Sequence, residues 1–190
     1  MPEWSLRYEG WIIEDGEPDR SVGEVFDWFA VEFLSVQGLA KIEAESTSAI
    51  PVADFEYRVV AEVIYVSEKT CIIDFGLRAI ANWGNLCSAC KQGDYVSGII
   101  GIGLPAYAAD APEPLFKTLE HRWLVKRISA DLTPISPETC MRDSSRVQYQ
   151  EVNSTQSVRT HTYVLHCSEV TENPPNSSSE RIPNSSRGLR

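Results

Sequence analysis

The chain has 190 residues, is 43% hydrophobic and carries a formal net charge of −10. That length and apolar content suit one globular domain with a buried core, and no run approaches the roughly 18 apolar residues that a bilayer-crossing helix needs. The charge is uneven: the first 62 residues hold fourteen acids against four bases, and the rest balances thirteen against thirteen. An acidic first third disfavours contact with a phosphate backbone and favours a basic partner.

The opening residues 1–9 are mixed and charged, without the basic stretch and apolar run of a secretory signal. A cytoplasmic setting with reduced thiols is therefore the expectation for the five cysteines. The glycosylation-type triplets at Asn153, Asn176 and Asn184 carry little meaning in that setting.

Residues 4–14 alternate, with Trp4, Leu6, Tyr8 and Ile12 on one face, and predict a strand. Residues 14–20 are a turn by their Gly, Pro and Asp content. The apolar run 22–34 fits strand parity better than helical spacing, and its aromatic and β-branched content agrees. A short strand is expected over 39–44 and a loop over 45–52. The central stretch follows. Tyr57, Val59, Ala61, Val63 and Tyr65 share one face of a strand, 67–69 makes a tight link, and 70–75 returns. Gly76 frees the chain to bend. Residues 77–91 suggest a short helix and then a loop. A strand over 94–104 contains Gly98, Gly101 and Gly103, which imply a bulge, a bend or the close approach of another backbone.

Residues 105–114 form an Ala- and Pro-rich loop. Residues 114–120 form one or two helical turns with Pro114 near the start, and 121–130 form a strand. Residues 131–157 make a long excursion, and 160–169 make the last strand. Residues 1–170 thus form a single β-rich domain. Residues 171–190 are Pro-, Ser- and Asn-rich and too polar to offset ordering entropy, so a disordered tail is expected. The strand-dominated pattern implies a mainly β fold. We expect an antiparallel barrel, OB-like in strand order, with one or two short helices; a β-sandwich is the alternative.

Cys87 and Cys90 form a C-x-x-C pair, half of a zinc site. The other ligands could come only from Cys71, Cys167, His161 or His166, and two small buried thiols explain the pair as well. His161 and His166 lie five residues apart, on opposite faces of a strand. No Gly-x-Ser-x-Gly elbow or phosphate-binding loop is present, so no catalytic residue, cofactor or metal is assigned. Trp123 flanked by Arg122, Lys126 and Arg127 could stack single-stranded nucleic acid, though core packing also accounts for such rings.

The expected function is that of a non-enzymatic β-barrel interaction module. Its acidic N-terminal third would contact a basic protein partner through Glu14, Asp15, Glu17, Asp19, Glu24 and Asp27. In charge and size the chain resembles immunity- or inhibitor-like proteins that neutralise basic effectors. The alternatives are an OB-like nucleic-acid binder and a zinc-binding protein using Cys87 and Cys90.

Overall fold

A computed structural model of the chain describes residues 2–28, 30–81, 90–104, 113–136, 143 and 146–170; the side chains of 35–37, 113 and 116 are not included. In chain order the described elements are β1 (Glu3–Glu9), the helical turn α1 (Gly10–Glu14), β2 (Val25–Trp28), β3 (Val31–Ile42) and β4 (Ser48–Ala53). They continue with β5 (Glu56–Val66), β6 (Cys71–Asp74), β7 (Arg78–Ala81) and β8 (Tyr95–Leu104). The turn α2 (Glu113–Phe116) precedes β9 (His121–Asp131), β10 (Tyr149–Val152) and β11 (Thr162–Glu169).

Five of these strands close into a ring. β5, β6 and β7 form an antiparallel meander, β8 pairs antiparallel with β5 and with β3, and β3 pairs parallel with β7. The fold is thus mainly β and built on a closed five-stranded barrel. The ring closes, so the sandwich alternative does not describe it, and one parallel pair makes it mixed rather than wholly antiparallel. The neighbour relations are compatible with an OB-like ring. The meander is closed by two more strands, and the one parallel to β7 comes from the N-terminal side of the chain.

Local sequence explains the ring. In β5 the alternation holds as expected: Tyr57, Val59, Ala61 and Val63 are buried, while Arg58 is exposed. A register shift after Val63 then moves Tyr65 to a second apolar cluster. Ser67 closes the β5–β6 link by accepting a hydrogen bond from Thr70 N–H at 3.0 Å. Gly76 turns the chain between β6 and β7 with φ at +94°, which a side chain would strain.

A sheet leaves the ring at β8. β1 pairs parallel with β8 over Arg7 and Tyr8, then antiparallel with β11, which pairs with β9. The far edge of β9 is shared by β2 and β10. At the seam, a Cβ on Gly103 would stand 2.8 Å from the Arg7 carbonyl oxygen, so the expected close approach of a backbone is real there. Ring and sheet share one core, from Trp4, Leu6 and Tyr8 through Phe33, Val59 and Val96 to Trp123, Ile128, Tyr163 and Leu165.

Several elements differ from expectation. β1 stops at Glu9: Gly10 donates to the His161 carbonyl and lies against the 160–161 backbone, and α1 keeps Ile12 buried. The run 22–34 is two strands, β2 and the start of β3, and the expected short strand 39–44 overlaps the end of β3. Residues 48–53 form the edge strand β4, not a loop. β4 pairs with β5 on one side only and exposes Ile50 and Val52, so period-two burial never marked it. Residues 78–81, expected as helical, form β7, and the 131–157 excursion contains β10. The tail 171–190, Cys87, Trp83 and the loop 105–112 lie outside the described residues.

Candidate functional site

The six predicted partner-binding acids do not form one uniform surface. Asp19 is held by its own chain: Arg159 donates to both carboxylate oxygens at 2.7 and 3.0 Å, and the Thr155 hydroxyl donates at 2.8 Å. Burial pushes this carboxyl up, but the bonds from Arg159 and Thr155 outweigh it and hold it below the usual range. Glu24 and Glu17 flank Arg20 at 2.9 and 3.6 Å. Arg20, expected as a turn charge, is buried with its guanidinium 4.3 Å from the Phe26 ring and 5.6 Å from the Trp28 ring. A buried cation needs partners of this kind. Asp27 extends into solvent 3.6 Å from Arg122. Glu14 and Asp15 are exposed and, among the described residues, meet no cation. Trp11, Val22 and Val25, in the same stretch of chain, are exposed large apolar side chains. Glu14 also borders an open hollow of about 450 Å³ with Asp131, Thr133, Arg159, Thr160 and His161.

The aromatic cluster expected for nucleic acid is internal. Trp123 is fully buried, and Trp4 packs on Tyr57 and Phe75 at centroid distances of 5.3 and 5.7 Å. Lys126 is exposed. The outer face of β6 and β7 is covered: Ile72 and Ile80 pack with Leu115 and Leu119 from α2 and the residues after it. Cys71 and Cys167 are core residues, and burial pushes the Cys167 thiol up to about 12. Among the described residues no group of three or more His, Cys, Asp or Glu could hold a metal ion. His121 bridges sheet and ring through Glu169 at 2.9 Å and the Arg78 carbonyl at 3.1 Å.

A polar cavity was not anticipated. It holds about 210 Å³ and is lined by Asp54, Arg127, Ser129, Tyr149, Val164 and His166. Its floor is the outer face of the sheet, where Ser5, His166 and Arg127 stand side by side on β1, β11 and β9. A bulge puts Arg127 there. Trp123 and Val125 are buried, then Ile128 and Ala130, so the parity of β9 switches at Lys126–Arg127, opposite the register shift at His166. The β4–β5 turn supplies Asp54, whose φ of +32° an Asp tolerates. Tyr149 on β10 donates to Asp54 Oδ2 at 2.6 Å.

His166 is half-buried. Its Nδ1 lies 2.9 Å from Ser5 Oγ and 3.2 Å from Arg127 Nη2, and its Nε2 lies 3.4 Å from Ser129 Oγ. A guanidinium only donates, so Nδ1 is the acceptor and Nε2 carries the proton. Burial lowers the pKa of His166, and the Arg127 charge lowers it further. This neutral imidazole has its one lone pair already claimed. It is a poor base toward Ser5 or Ser129, and the arrangement suits binding better than serine activation.

The sequence contained a signal for this site that was read otherwise. Two adjacent charges, Lys126 and Arg127, separate two alternating apolar pairs, which marks a bulge. Comparison with known proteins adds no identity: no family model, curated protein or solved structure matches the chain.

Proposed function

We propose that the protein is a non-enzymatic β-barrel interaction module that captures a basic protein partner through the acidic segment between β1 and β2. The supporting observation is the pair Glu14 and Asp15, exposed beyond α1 with no cation on them among the described residues. Exposed Trp11, Val22 and Val25 nearby in the chain offer apolar area of the kind interfaces bury. Glu17, Asp19 and Glu24 have a second task, fixing this segment to Arg20 and Arg159. Electrostatic steering toward such a surface is screened by salt.

The test is a pull-down with the full chain beside its Glu14→Lys/Asp15→Lys variant, at low and high salt. A basic protein held by the wild type, and released both by salt and by the double reversal, is the expected result. Equal retention by the variant, or an empty wild-type lane, refutes the reading.

A further inference from the structure

The cavity beneath the β4–β5 turn is a built site independent of the acidic segment. Its polar groups come from five strands and one turn, and they converge over a floor that includes the buried Val164. Three donors face a ligand of the right size: the Arg127 guanidinium, the His166 Nε2–H and the Ser129 hydroxyl. Among the described residues Arg127 meets no carboxylate, and its one recorded bond uses Nη2 alone. Planar donor groups of this type match a carboxylate. On the other side Asp54 brings a negative charge, oriented by Tyr149.

We infer that this cavity binds a small zwitterionic carboxylic acid of amino-acid type. The ligand's carboxylate meets Arg127, His166 Nε2–H and Ser129, and its ammonium meets Asp54. Charge balance selects this class. Arg127 is the one cation lining the cavity and Asp54 the one anion, with His166 neutral. Beyond the rim, Glu3 and Glu151 add negative potential at His166, in the same sense as Asp54. A doubly charged phosphate is disfavoured in that field, whereas a ligand with one charge of each sign is not. Size agrees. A cavity of 210 Å³ corresponds to about seven waters at roughly 30 Å³ each, which fits a free amino acid and excludes a nucleotide.

The experiment follows the imidazole signals of the full chain by NMR. Those of His166 are identified by their loss in His166→Gln. Serine, acetate and inorganic phosphate are titrated separately. Saturable movement of the His166 signals by serine, with weaker binding of acetate and of phosphate, is expected. Arg127→Ala and Asp54→Asn should each weaken serine by about tenfold or more, since each removes one charged partner. Both positions are exposed, and Asn accepts a positive φ, so both variants should fold. Absence of a saturable serine shift, undiminished serine binding in both variants, or tighter binding of phosphate than of serine overturns the inference. Glu14→Lys/Asp15→Lys should leave serine binding unchanged, which separates this site from the partner surface.

Discussion

The ring and the sheet that leaves it bury apolar side chains in the same core, yet their outer faces differ. On the ring, the outer side of β6 and β7 carries Ile72 and Ile80 and is closed over by Leu115 and Leu119. On the sheet, the outer side of β1, β11 and β9 carries Ser5, His166, Arg127 and Ser129, and only the β4–β5 turn arches toward it. An apolar outer face has to be covered by the chain's own residues. A polar outer face tolerates a cavity, because water or a ligand can satisfy its groups. The covered face is therefore a second small core, and the uncovered one is the candidate site.

That contrast can be broken from either side. The largest effect is expected on the shared core beneath the sheet. Trp123→Ala removes a fully buried ring and should cost about 3–5 kcal/mol, read as a lower midpoint in urea unfolding. A loss below about 1 kcal/mol would mean that the sheet does not rest on that ring.

Next comes the covered face of the ring. Leu119 is fully buried against Ala30, Ile72 and Ile80. Leu119→Ala should cost about 2–3 kcal/mol, toward the low end for such truncations because a surface-laid segment can settle into the gap. An equal loss with Leu119→Gln would agree with this burial, whereas a neutral effect of both would show the β6–β7 face to be open.

The smallest effect is the most specific to the uncovered face. The pKa of His166 is lower in the folded chain than its ordinary value of 6.5. The unfolded chain therefore binds the proton more readily. This contribution is complete above about pH 6.5 and is lost as pH falls from there through the folded pKa. Asp19 acts in the same direction in a lower window, because its folded pKa lies below the ordinary 3.8. His166→Gln should flatten the stability profile between about pH 6.5 and the folded pKa and leave the Asp19 window intact. An unchanged slope in the upper window would show that His166 is as well solvated folded as unfolded.

The elements legible in sequence were those whose signal is local. β5, β6, β8, β9 and β11 each carry a run of alternating or β-branched residues and a turn at the end. Their existence, the mainly β class and a barrel followed from that. β4 was missed because an edge strand exposes both faces, and β10 because its four residues sit among polar sequence. The division of 22–34 was missed because both halves are apolar. The confinement of net charge to the first 62 residues was plain from the sequence. That Asp19, Glu17 and Glu24 spend their charge on Arg159 and Arg20 was not, since those pairs depend on how the β1–β2 segment folds against residues 153–159.

What the sequence determined by itself was the secondary structure of its strongest strands, because backbone parity and side-chain volume act within a few residues. Tertiary structure alone decided the sites. Asp54 meets Tyr149 across 95 positions, and Ser5 meets His166 across 161. Which distant polar groups share a cavity depends on how the sheet pairs and where its bulge falls. Those are outcomes of packing the whole core at once.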